Sequence, residues 1–352
     1  MKTTLVAILI SLLLLIHGYV TTEGTTTVIN FAFRKWLLLL CCVPLAFLVK
    51  WPEERPFYWL VACVLGSVVL SPHPWIAFAG HPELRTGAST WLVCLLIYII
   101  SREHLEPRHF LYILAPYVII DSVVGIASKS TDVLAILLPV IAPGVTMTNS
   151  AEYVTILGNR NYSSGMGAVC WTLYYIHWCE TKSKLSLALW ILSVAIVICA
   201  NCASGYVTIW AIALLTFCPL WMIIVGILFA GIAILVLDPT FSGRMPAWIE
   251  TTKLFFQRPL GYGLDTIFAY LRHVPGNFVK PHNAYLGISL GLGVPGLAAF
   301  IVLVFNEIFA KSYVTAAMAA MLIQWLVNDA TVETLPLFFA MLGAKELEEE
   351  AY

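Results

Sequence analysis

The sequence predicts an all-α fold, a polytopic transmembrane helix bundle of about 10–12 spans, with one longer outer-face loop containing a short interfacial helix. Three observations predict it. Hydrophobic residues make up 60% of the 352-residue chain and charged residues 11%, with a mean hydropathy of +0.88, whereas a soluble domain carries about 25% charged residues. The apolar residues fall in repeated runs, many close to the length of a bilayer crossing. Polar and cationic residues instead gather in one stretch, 242–286, set between apolar runs.

In order, the runs cover 5–20, 36–49, 57–70, 89–100, 110–127, 162–179, 185–199, 207–220, 221–237, 284–309, 313–327 and 335–342. Those shorter than the roughly 20 residues of a full crossing can extend into flanking polar residues or thin the bilayer locally. The stretch 133–145, broken by Pro139 and Pro143, reads as an interfacial or re-entrant piece, because non-helical backbone at membrane depth must be buried in protein or line a wet cavity. The first run follows Lys2 and has no A-x-A-like site after it, so a retained helix is expected rather than a cleaved signal. No internal repeat, low-complexity tract or soluble domain interrupts the pattern. The chain therefore reads as a single transmembrane domain, 1–352, with the candidate site on the outer loop 238–283.

A net charge of -1 and a pI near 6.7 exclude a nucleic-acid footprint, which needs a clustered basic face. Of nine cysteines, Cys41, Cys42, Cys63, Cys94, Cys170, Cys199 and Cys218 lie inside apolar runs and read as small buried hydrophobes. The Cys199-Ala200-Asn201-Cys202 spacing has no βαβ pattern and no second pair, and the histidines lack metal-ligand spacing. No metal and no cofactor are expected.

With a cytoplasmic amino terminus, Lys50, Arg55, Arg102, Arg108, Lys182, Lys184 and Lys311 fall on short inner loops, as the positive-inside rule asks. Arg34, Lys35, Arg85, Lys129 and Arg160 then lie outside, together with Arg244, Lys253, Arg258, Arg272 and Lys280. An anionic ligand at the outer face accounts for that excess of cations. Asp121, Asn328, Asp329 and Glu333 sit toward outer ends rather than at the midplane.

Within the outer loop, Pro246 suits a first helical turn and Pro259 disfavours helix at Arg258, which predicts a helix of about three turns ending near Gln257. Trp248, Phe255 and Phe256 are expected on its apolar face, so that it lies along the membrane surface with Arg244 at its start, at headgroup level. There a phosphate meets a guanidinium and free backbone N–H groups. Taken singly, Arg244, Lys253 and Arg258 also suit interfacial anchors. The turn Pro259-Leu260-Gly261-Tyr262-Gly263 permits close backbone approach and follows no strand, so it is not a nucleotide fingerprint. At the next boundary, His282 offers a neutral imidazole able to take a proton from a hydroxyl, or a helix cap.

These segments together resemble the O-antigen ligase and polymerase family of bacterial membrane glycosyltransferases. The matching pieces, in order, are Gly80-His81-Pro82-Glu83-Leu84-Arg85-Thr86-Gly87, Gly158-Asn159-Arg160-Asn161, Ser242-Gly243-Arg244 with Trp248, Pro259-Leu260-Gly261-Tyr262-Gly263, and His282-Asn283-Ala284-Tyr285-Leu286 running into Gly293-Val294-Pro295-Gly296. The resemblance implies a GT-C-like, metal-independent enzyme of the bacterial inner membrane with its site facing the periplasm. It would take glycan from a polyprenyl (undecaprenyl) diphosphate-linked donor. The acceptor would be a hydroxyl on lipid A core, on a carrier-linked glycan or on a protein. By the same resemblance Arg244 would stabilise the diphosphate and His282 would orient or deprotonate the acceptor. Arg85, Asn159, Arg160, Asn161, Arg258, Asn283 and Tyr285 would bind substrate, with membrane lipids as the other partners. One departure stands out: where the family carries Ser-Arg, this chain has Ala203-Ser204-Gly205-Tyr206. Arg160 or Arg85 would have to replace that cation.

Two other classes of function share some of these features. A transporter or flippase for a lipid-linked or anionic solute also uses outer cations, but calls for paired broken helices near the midplane. A noncatalytic membrane scaffold would need none of the site residues to converge.

Overall fold

The computed structural model describes residues 2–15, 26–82, 84–127, 129, 157, 160–217, 244–271, 274, 280–308 and 312–345. Among them every regular element is a helix. We number them α1 (Lys2–Leu15), α2 (Thr26–Leu40), α3 (Arg55–Val69), α4 (Pro74–Ala79), α5 (Ala88–His104), α6 (His109–Ala127), α7 (Arg160–Thr181), α8 (Lys184–Ala200), α9 (Ala203–Phe217), α10 (Met245–Gln257), α11 (Phe268–Leu271), α12 (Ala284–Ile308), α13 (Ser312–Gln324) and α14 (Thr334–Gly343). Two of them, α6 and α12, are by themselves long and apolar enough to cross a membrane; α1, α3, α8, α9, α13 and α14 are shorter apolar helices. The stretches 133–145 and 221–237 lie outside the described residues.

The core is built around α5 and α14. Residues Thr334 to Gly343 are buried along the whole length of α14, and α5 is buried from Ala88 to Ser101. Gly343 allows their crossing, since a Cβ there would come within 2.1 Å of the Tyr98 carbonyl oxygen. Trp91, Phe300, Trp325, Phe338 and Phe339 fill the space beside them with tilted and edge-on ring contacts, worth about 0.5–1.5 kcal/mol per pair beyond burial. In α7, small residues do the equivalent work: Gly165 faces Gln324, Gly167 faces Ile196 and Val197, and Ser164 faces Gly205. Three helices thus approach α7 closely, as small-residue faces permit.

Two expectations shift. The apolar run 36–49 is not one helix: α2 begins at Thr26 and stops at Leu40, and Val43–Leu48 forms a 3-10 turn. Pro44 lacks the N–H an α-helix needs there, and the early start is possible because Lys35 is fully buried against Glu333, Nζ to Oε1 3.2 Å. The helix expected after Arg244, α10, does span Met245–Gln257 with Pro246 in its first turn, but it buries Ala247, Thr251 and Leu254, while Phe256 and Ile249 point outward. Phe256 therefore leaves the face shared by Trp248 and Phe255. The loop has its own small core of Ala247, Leu254, Tyr262, Ile267, Leu271, Val274 and Leu290.

Leu290 belongs to α12, and the dock between loop and helix explains the glycine-rich motifs. Gly293 has φ 70° and interrupts α12 just before Pro295, which frees the carbonyls of the preceding turn. The loop takes them: Tyr262 N–H donates to Leu290 O at 2.7 Å and Gly263 N–H to Gly291 O at 3.2 Å, while Val294 N–H donates to Pro259 O at 2.8 Å. The contact is backbone to backbone. A Cβ at Gly261 would stand 2.7 Å from Gly293 N, and one at Gly293 would stand 2.5 Å from the Leu260 carbonyl carbon.

The helix directions place two polar clusters at opposite ends of the bundle. At one end, Arg102 pairs with Glu54 and, at 3.4 Å, with Glu307, and Tyr98 donates to Glu307 at 2.9 Å. The starts of α5, α7, α12 and α14 all point to the other end, where residues 80–82, 84–87, 244–271, 280–283 and 328–333 lie.

Candidate functional site

His282 sits just before the start of α12. Asn283 caps that helix, its Oδ1 accepting Leu286 N–H at 3.0 Å while its amide donates to Leu326 O at 2.9 Å. Ala284 N–H lies 2.9 Å from Trp325 O and 3.0 Å from Asn328 O. These bonds stitch residues 283–284 onto the turn 325–329, and His282 Nδ1 meets Asp329 Oδ2 at 3.2 Å. The carboxylate side chain is 4% exposed and the imidazole 37%. A carboxylate offers only acceptors, so this neighbour favours a proton on Nδ1.

Arg244 is the N-cap residue of α10, and its carbonyl accepts Trp248 N–H at 3.0 Å. Trp248, one turn later on the same face, donates from Nε1 to Pro281 O at 2.7 Å, next to His282. Tyr162, at the start of α7, lies within electrostatic reach of Asp329, Glu333 and Arg244 together. Arg244 and Asp329 thus lie within electrostatic range of the same tyrosine.

Beside it lies a second group. Arg85 stacks over Phe33 and Trp36, at 5.3 and 5.4 Å from the ring centres, and burial pulls its guanidinium below the usual range while Asp265 pushes it back. Thr86, Asp265, Lys280 and Asp329 line a shared cavity of about 40 Å³, room for about three waters.

The remaining expected site residues have backbone or helix partners. Arg258 bonds the Leu70 carbonyl and stacks on Tyr262 at 5.4 Å. Tyr285 donates to Leu322 O at 2.8 Å. Asn161 accepts from Cys202 Sγ and joins α7 to α9. Arg160 is exposed at the rim, at the first residue of α7. Asn159, Ser242 and Gly243 lie outside the described residues. Sequence reading gave no role to Asp265, Lys280, Thr86 or Asp329. Of these, only Asp329 carried a signal, as one of few acids next to an apolar run.

The fold and site together define an all-helical bundle with a histidine–carboxylate pair and an arginine at one end. No protein-family model, curated protein or solved structure matches the chain.

Proposed function

We propose that this chain is a multi-pass protein of the bacterial inner membrane that transfers glycan from a polyprenyl diphosphate carrier to an acceptor hydroxyl on the periplasmic side. The observation that carries this reading is the His282–Asp329 pair, its imidazole 37% exposed, beside the Trp248–Pro281 bond one helical turn from Arg244. In the proposed reaction the anomeric C–O bond to the diphosphate breaks and a C–O bond to the acceptor oxygen forms. His282 Nε2 takes the acceptor proton, and the Arg244 guanidinium stabilises the charge left on the diphosphate. The acceptor is lipid A core, carrier-linked glycan or protein.

The distribution of polarity supports a lipid environment. Charged side chains are buried at Lys35, Asp121, Glu307, Asp329 and Glu333, while large apolar ones face outward. On α6 the exposed set is Tyr112, Ile119, Ile120, Val123 and Ile126, and on α9 it is Tyr206, Val207, Trp210 and Leu215. Apolar surface of this extent is out of place in water. The broken helix α12 would suit a transporter if its freed backbone groups faced a solute, but Pro259–Gly263 already bonds them.

Expression in a strain lacking its own O-antigen ligase tests the reaction and one acceptor class: long-chain lipopolysaccharide ladders are expected to return. Purified protein that leaves carrier-linked glycan untouched with lipid A core, glycan and protein acceptors alike would end the proposal. Topology is tested separately by cysteine labelling. Residues 158–162, 238–282 and 329–334 are expected outside, so Lys253→Cys should react with an impermeant thiol reagent in intact cells. Reaction only after permeabilisation would remove the shared outer site.

A further inference from the structure

We propose that Asp265, Thr86 and Lys280 form a latch that positions His282, an assignment that rests on His282 being the reactive group of the proposed function. The Asp265 carboxylate ties down the loop 80–87: Oδ2 accepts the N–H groups of His81 and Thr86, both at 2.9 Å, and Oδ1 accepts the Thr86 hydroxyl at 2.7 Å. Having given its one proton to Asp265, the hydroxyl can only accept from Lys280 Nζ, which lies 2.8 Å away. The same ammonium donates to Ala330 O at 3.2 Å and stands 3.7 Å from Asp265 Oδ1.

The chain positions make this more than a staple for the loop. Lys280 is two residues before His282, and Ala330 is one residue after Asp329. One ammonium thus fixes both members of the His282–Asp329 pair to one buried carboxylate. Backbone conformation points the same way. Among the described residues five non-glycine positions have positive φ, and three of them are Arg85 (51°), Asp265 (60°) and His282 (52°). Such conformations are strained and persist where the surroundings impose them. The loop is closed by glycines, since a Cβ at Gly87 would come within 2.3 Å of Gly80 N. Over a third of the His282 side chain is exposed. Its orientation follows from the backbone that the latch holds.

The test uses the full chain in lipid nanodiscs as wild type, Thr86→Val, Thr86→Ser and Tyr98→Phe, the last breaking a buried hydrogen bond at the opposite end of the bundle. One readout needs no donor: the rate at which diethyl pyrocarbonate modifies His282, followed by mass spectrometry of its peptide. The other is kcat and KM for transfer from a polyprenyl diphosphate-linked glycan. Thr86→Val is expected to speed His282 modification about threefold or more as the ring leaves the carboxylate. It should lower kcat by about ten- to a hundredfold with KM little changed, the scale of a small misplacement of a catalytic group. Thr86→Ser and Tyr98→Phe should behave as wild type in both. A wild-type modification rate in Thr86→Val, or an equal change in Tyr98→Phe, overturns the latch. If Thr86→Val does not fold, Lys280→Met asks the same question, because the loop keeps its bonds to Asp265. A changed His282 rate without transfer by any form, wild type included, keeps the latch and removes the proposed function.

Discussion

Replacing His282 by alanine is expected to lower turnover by about 10²–10⁴-fold, the usual contribution of a general acid–base group, with donor affinity nearly unchanged. The reason lies in the division of labour at the site. The imidazole is 37% exposed, whereas in the proposed reaction the donor's diphosphate would lie against Arg244, one helical turn from the Trp248–Pro281 bond. The cap of α12 is supplied by Asn283 rather than His282, so the variant should keep its helix and its melting temperature. Binding of a non-transferable carrier diphosphate and single-turnover transfer, measured at matched protein levels, separate the two effects. Transfer near the wild-type rate in folded His282→Ala protein would leave the histidine a boundary residue.

Arg244→Lys is expected to lose activity by about ten- to 150-fold even though it keeps the charge, the equivalent of one charge-assisted hydrogen bond of about 1.5–3 kcal/mol. A guanidinium grips two phosphate oxygens through a planar fork, while an ammonium is a point charge on a flexible stem. An interfacial anchor would respond differently, because lysine reaches the headgroups nearly as well. Donor-dependent transfer by wild type, Arg244→Lys and Arg244→Ala makes the comparison. Lysine activity equal to wild type would take Arg244 out of the site and weaken the case for a diphosphate donor.

Much of the helical architecture was legible because apolar runs and proline positions are local signals. The boundaries of α3, α6, α8, α10 and α12 fall within a few residues of the runs and turns that predicted them. The start of α2 was not legible, since Arg34 and Lys35 look like the polar end of a span until Glu333 is seen to receive Lys35. The glycines of 259–263 announced a close approach without naming the partner, which proved to be the broken backbone of α12. Of the site, His282 and Arg244 were marked by chemistry at segment ends. The Asp265 network was invisible for a different reason: its partners are 179 and 184 residues apart along the chain, and no local pattern encodes such a meeting.

The pairing of Lys35 with Glu333 has a consequence for how the protein is made. The lysine leaves the ribosome almost an entire chain length before the carboxylate that accompanies it at 3.2 Å. At about 5–20 residues per second that interval is tens of seconds. During it, the α2 ammonium lacks the carboxylate that later receives it, and burying an unmatched charge is costly. The second helix is therefore expected to lodge in its final place only after Glu333 and α14 have been delivered, so that the first-made part of the chain is among the last to settle.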